Sequence, residues 1–104
     1  MMPVGEVINM IVAETIRQQI GNKALFMMGA KDLRGDDNSL TFNIGRNSFG
    51  VNVIQIKLNS MDLYDVTFYR LRKLELTEKS KAEGVYFDML HAIIEKNTGM
   101  YLSL

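Results

Sequence analysis

The side chains able to bind or transfer charge gather in a few places. MGAKDLRGDDNSL (residues 28–40) puts Asp32, Asp36 and Asp37 beside Lys31 and Arg34, with two glycines, between two apolar runs. Aspartates are hard oxygen donors of the kind calcium and magnesium take. An EF-hand loop, however, alternates its donors, follows them with Gly and closes on Glu at the twelfth position. Here Asp36 and Asp37 are adjacent, Gly35 precedes them, and no Glu follows. A phosphate loop needs its lysine after the second glycine and a hydroxyl next to it. Lys31 instead follows Gly29 and Ala30, and Asp32 comes after it. Gly35, Asp36, Asp37 and Asn38 are the residue types that adopt turns, so a connecting turn is expected here.

His91 is the single histidine, and the chain has no cysteine. That excludes thiolate nucleophiles, disulfides and iron–sulfur clusters. No serine has the G-x-S-x-G setting of a nucleophile elbow. Asp36 with Asp37, and Asp62 with Asp65, fall in turns or on exposed strand positions, where carboxylates solvate a surface. No catalytic, cofactor-binding or metal-binding residue is assigned, and no enzymatic activity or cofactor is expected. Tyr69, Arg70, Arg72 and Lys73 form a basic-aromatic cluster that Lys57 and Arg46 could join. Stacking and phosphate pairing would make that a nucleic-acid site if one sheet face is open. No RNP-like motif or G-x-x-G clamp accompanies it, and a solvated strand face is the alternative.

These residues need elements to hold them. The chain has 104 residues, 47% of them hydrophobic, and a formal net charge of zero. One domain spanning 1–104 is expected, without a global pull toward polyanions. The first residues lack a basic segment, and Glu6, Asn9 and Glu14 interrupt their apolar run, so no leader is expected. No stretch approaches the ~20 apolar residues of a membrane span. A cytoplasmic protein that does not engage membranes is expected.

Val4, Val7, Ile8, Ile11, Val12, Ile16 and Ile20 recur at helical spacing, with Pro3 suited to a first turn and Gly21 to a stop. Ala24–Met28 is a short apolar run read as a buried strand. Met27 and Met28 would then point to opposite faces, which hints at a partner or a homodimer. Leu40, Phe42 and Ile44 alternate with polar residues, as do Ile54, Ile56 and Leu58, and Tyr64, Val66 and Phe68. RNSFG (46–50) and NSMD (59–62) read as turns, with Asn47 and its neighbours either a turn or a contact loop. Near Tyr69 the alternation falters, which predicts a bulge or a new strand near Lys73. TEKSKAEG (77–84) is polar, and Ser80-x-x-Glu83 matches a capping box. A final helix is predicted from Gly84 to Asn97, with Val85, Tyr86, Met89, Leu90, Ile93 and Ile94 as its apolar face and Gly99 as its stop. The tail MYLSL is apolar enough to dock. The expected fold is α+β: an N-terminal helix, an antiparallel meander of three or four strands and a C-terminal helix, with both helices on one sheet face.

GNKALFMMGAKDL, NSLTFNIGRN, IKLNSMDLYDVTF and EGVYFDMLHAIIEKNTGMYLSL together cover most of the chain from Gly21 onward. In these segments it resembles a group of small uncharacterised proteins of bacteriophages, prophages and related mobile elements. The resemblance carries over no functional residue. It implies an accessory protein acting in the cytoplasm of a bacterial host as a protein-interaction module, its target a host or defence protein, another phage protein or a second copy. The alternative is a small nucleic-acid-binding protein using Lys57, Tyr69, Arg70, Arg72 and Lys73.

Overall fold

The computed structural model describes residues 4–102, with side chains from residue 11 onward. Helix α1 (Val4–Ile20) leads through Gly21 into a short helix α2 (Asn22–Met27). Five strands follow: β1 (Lys31–Gly35), β2 (Ser39–Asn43), β3 (Val53–Leu58), β4 (Tyr64–Arg72) and β5 (Glu75–Val85). A 3-10 turn at Phe87–Met89 then opens helix α3 (Leu90–Thr98). The strands form one antiparallel sheet in sequence order, β1-β2-β3-β4-β5. The fold is α+β with helices at both ends, and it has more strands than the three or four expected.

Directly opposed residues in a sheet share a face, and neighbours along a strand alternate. Leu40, Ile56 and Val66 therefore form one row, and Phe42, Ile54 and Phe68 the next. All six are buried, and they meet Ile16 and Ile20 of α1, Ala24 and Leu25 of α2, and Leu90 and Ile94 of α3 in one core. Each such side chain contributes roughly 1.5–3 kcal/mol on burial. Within α1 the predicted stripe holds at Val12, Ile16 and Ile20, whereas Ile11 is exposed. The side chains of Val4, Val7 and Ile8, and Pro3 itself, lie outside the described residues, as do the last two residues of MYLSL. Leu102 in that tail is buried, its N–H donating to a Glu95 carboxylate oxygen at 2.8 Å.

Residues 24–28 are helix and turn, not strand. Ala24, Leu25 and Met28 are buried while Phe26 is 85% exposed, a helical stripe on too short a run to show its period. Met27 and Met28 therefore do not point to opposite sheet faces; Met28 is buried and Met27 packs against the core. The expected turn over 28–40 is a turn only at its two ends, Met28–Gly29 and the bend at Asp37–Asn38. Lys31–Gly35 pairs with β2, and Gly35 lies where an added Cβ would sit 2.5 Å from Ala13 Cβ. That close approach sets α1 against the β1–β2 edge.

The polar run 77–84 is part of β5, so Ser80 and Glu83 do not cap a helix, and the final helix starts at Leu90. Both alternatives near Tyr69 occur. The β4–β5 register shifts between Phe68 and Tyr69, and a new strand begins at Glu75. Val85 ends β5 as a buried strand residue, while Tyr86 and Met89 are exposed. At the far end Gly99, with φ 75, takes the left-handed conformation that closes α3, its N–H donating to Glu95 C=O at 2.8 Å.

Three asparagines organise the loops that frame β3 and β4. Asn47 Oδ1 accepts from the N–H groups of Phe49 and Val51, and its amide donates to Gly45 and Val51 carbonyls. Asn59 Oδ1 accepts from Met61 and Leu63, and its amide donates to Asp65. The third, Asn52, bonds the backbone of Leu71.

Candidate functional site

The β4–β5 hairpin runs past the rest of the sheet. The last residue pair between β3 and β4 is Val53 with Tyr69, yet β4 and β5 stay paired out to Arg72 with Glu75. At the base Asn52 imitates another strand residue. Its Oδ1 accepts from Leu71 N–H at 2.7 Å, and its amide donates to Leu71 C=O at 2.9 Å. Two backbone groups that would otherwise face water are thereby paired, and the ribbon is tied to the body.

Lys73 and Leu74 close the hairpin with φ 50 and 70. Positive φ at both central positions is the signature of a type I′ turn, for which Asn-Gly is the preferred pair. Leucine there is strained by roughly 1–2 kcal/mol. Leu74 is also 100% exposed, so burial does not offset the strain.

The ribbon has two chemically distinct faces. Phe68 faces the core, and Ser80 opposite it donates its hydroxyl to Asn97 on α3. Alternation from Phe68 puts Tyr69 and Leu71 on the other side, and Arg70 and Arg72 on the core side. Cross-strand pairing adds Glu78 and Leu76 to the first set, Thr77 and Glu75 to the second. Leu71 and Leu76 are directly opposed and 42% and 53% exposed. Arg70, Arg72, Lys73, Glu75 and Thr77 line a shallow hollow on the other face. Arg70 donates to Gly50 C=O at 3.2 Å, which holds its guanidinium near the base. Among the described residues, Arg72 and Lys73 have no ion-pair or hydrogen-bond partner.

The basic-aromatic cluster read from the sequence is therefore divided. Arg70, Arg72 and Lys73 come together, but Tyr69 lies on the opposite face of the ribbon. Lys57 is on the same face as Tyr69 but four residues along β3 from Val53, roughly 13 Å away. It lies beside Asp36 instead. There the Ser39 hydroxyl, the N–H groups of Asn38 and Ser39, and the Lys57 charge together hold the carboxyl below its usual range against the opposing effect of burial. The face with Tyr69 and Lys57 also carries Lys31, Arg34 and Lys81, which the sequence pattern places in a turn and a polar connector. Thr41, Gln55 and Thr67 form its central row. Asp32, Asp65 and Glu78 share this face, with Asp32 accepting from the Asn43 amide.

The remaining candidates are placed as structural groups. Asp36 Oδ1 accepts from Asn38 N–H at 3.2 Å and from the Ser39 hydroxyl at 2.7 Å, which closes the β1–β2 turn. Asp65 Oδ1 accepts from Gly84 N–H, fixing the β5 bulge beside it. His91 Nε2 donates to Ile20 C=O at 2.5 Å, satisfying a terminal carbonyl of α1 from α3. Asn47 has its amide bonds within its own loop. Arg46 is exposed in the same loop. Among the described residues no group of three or more His, Asp or Glu side chains is gathered as a metal would need, and no helix is long and apolar enough to cross a membrane.

Sequence reading misses Leu71, Leu74 and Leu76, which show there only as the faltering alternation after Tyr69. The signal was there: three leucines interleaved with charges, in a stretch where no buried face could use them. Comparison with protein-family models, curated proteins and solved structures returns no match.

Proposed function

We propose that the chain is a non-enzymatic protein-interaction module of phage or mobile-element type, acting in the cytoplasm of a bacterial host and docking through the β4–β5 ribbon. One observation carries this: an opposed, half-exposed Leu71–Leu76 pair and a fully exposed Leu74 on a projecting hairpin. Scattered exposed leucines are normal, but a cluster on a protruding element marks an interaction site. The sheet edges support the same view. Both edge strands are highly charged and bulged, β1 between Lys31 and Arg34 and β5 opposite Tyr64–Val66 and Phe68–Tyr69. Such edges discourage strand addition by another chain, so a partner has to use a face or a tip. The reading takes both terminal helices to cover one face of the sheet and to leave the ribbon clear of them.

The second reading is nucleic-acid binding on the face that carries Tyr69, Lys57, Lys31, Arg34 and Lys81. The polar row of Thr41 and Gln55, half-buried, with Thr67, buried, runs between these groups and offers hydrogen-bonding atoms to it. Asp32, Asp65 and Glu78 on the same face weaken its field, and the chain has no net charge to add.

The test is a pull-down from bacterial lysate with the full chain as bait, with and without nuclease. A protein retained after nuclease and lost from a Leu71→Ser/Leu76→Ser bait supports the docking module. Retention indifferent to these substitutions refutes the ribbon as its site. Nucleic acid that co-purifies, and is released by salt and by Lys57→Ala/Tyr69→Ala, favours the second reading. Light scattering on the purified chain tells whether the partner includes a second copy.

A further inference from the structure

We propose that the ribbon acts as a finger entering a cleft of a partner protein, with Leu71 and Leu76 against an apolar wall and Arg72 and Lys73 against a carboxylate-rich one. This rests on the docking role proposed above and specifies the partner's chemistry. The apolar and cationic groups lie on opposite faces of the same two strands. A flat partner can contact only one of them. Leu74 at the tip is exposed on all sides, so contacts at depth complete the set. A concave site meets all three at once.

The dimensions follow from the pairing. From Tyr69 to Lys73 the ribbon advances four residues, roughly 13 Å, and a sheet with side chains on both faces is roughly 10 Å thick. The core-side face and tip carry Arg70, Arg72 and Lys73 against a single carboxylate, Glu75. Arg70 is bonded to Gly50, which leaves Arg72 and Lys73 to meet external charge. Carboxylates on that wall would be complementary, whereas a basic wall would be repelled.

A nucleic-acid duplex also offers an anionic groove wide enough for a two-stranded ribbon. Both of its walls carry phosphate, however. Leu71 and Leu76 would face one of them, which gains nothing from the leucines, and Glu78 offsets the Lys31 charge near Leu71. The ribbon's two-sided chemistry favours a protein cleft.

The experiment places the photoreactive residue benzoyl-phenylalanine at Leu71, Arg72 and Leu74 in turn, in the full chain, and irradiates it in bacterial lysate. Each bait is first checked for the wild-type circular dichroism spectrum. If the Leu71 bait does not fold, Leu76 reports the same face. The expected result is one protein crosslinked from all three positions. The peptides joined through position 72 should be rich in Asp and Glu, and those joined through position 71 apolar. Arg72→Glu in the Leu71 bait should lower the yield at least tenfold. Crosslinks from positions 71 and 74 only would overturn the cleft while leaving the docking role intact. Nuclease-sensitive crosslinks through position 72 would overturn it in favour of a duplex groove. Silence from all three positions would remove the docking role as well.

Discussion

Replacing Lys73 with Asn and Leu74 with Gly should make the protein more stable and less functional. Lys73 and Leu74 both have positive φ, at 50 and 70. A residue other than Gly, Asn or Asp loses roughly 1–2 kcal/mol in that region. Glycine at position 74 removes the strain but adds freedom to the unfolded chain, which costs about 0.5–1 kcal/mol. Asparagine at position 73 tolerates the left-handed region better than lysine and contributes a further fraction. Leu74 is fully exposed, so its removal forfeits no burial. The net expectation is a gain of about 1 kcal/mol, which in a domain of this size raises Tm by roughly 4–8 °C. Thermal unfolding followed by circular dichroism measures this directly, and the pull-down measures the partner. A Tm that falls or stays put would refute the claim that the turn is strained and that Leu74 is idle in the fold. A higher Tm with undiminished partner retention would refute the claim that Leu74 is displayed for binding.

Other consequences can be checked with the same protein. Asn52→Ala deletes both hydrogen bonds to Leu71, so Tm should drop by the equivalent of about 1–2 kcal/mol, and amide exchange at residues 70–76 should accelerate before that of β3. Gly35→Ala places a Cβ 2.5 Å from Ala13 Cβ, and a urea midpoint lowered by about 1–3 kcal/mol equivalent is expected; Ala13→Gly should restore part of it, whereas no rescue would mean the clash lies elsewhere. Burial pushes the Tyr64 hydroxyl above its ordinary 10.0, in spite of its bond to Gln19 Oε1. The folded protein keeps that proton to higher pH than the unfolded chain does. This contribution is therefore intact below about pH 10 and is lost as pH climbs from there through the folded value. Tyr64→Phe should flatten this alkaline loss in unfolding curves from pH 9 to 11, while giving up about 1 kcal/mol at neutral pH from the Gln19 bond.

The elements that could be read in the sequence were those with a single buried face. β2, β3 and the first half of β4 alternate cleanly because Leu40, Phe42, Ile54, Ile56, Val66 and Phe68 all enter one core. β1 and β5 were read as a turn and a polar connector because an edge strand need bury neither face. All five residues of β1 are exposed, and in β5 only Val85 is buried. The lysines and glutamates that keep such edges from pairing also erase the period that would announce a strand. Helix α2 failed for the opposite reason, since over five residues an apolar run fits either period. The site residues were partly legible. Arg70, Arg72 and Lys73 were singled out by charge, but placing them on one face with Tyr69 and Lys57 required a register that the bulge and the unrecognised β5 concealed.

The hairpin turn bears on whether the leucines are displayed or merely left over. Elsewhere this chain meets its demand for positive φ with suitable residues, using Gly21, Gly29, Gly50, Gly84 and Gly99, together with Asp32 and Asp62. It also uses asparagine freely, at Asn47, Asn52 and Asn59, to satisfy loop backbone. Yet at the one hairpin turn among the described residues with positive φ at both central positions it carries Lys-Leu. Stability alone would favour Asn-Gly there, and so would solubility, because a fully exposed leucine at a tip promotes aggregation. Two independent pressures thus point away from Leu74, and neither the core nor any hydrogen bond compensates. A residue retained against both is best explained by contact with something outside the chain, which is why the strain at the turn and the loss of partner need to be measured on the same variant.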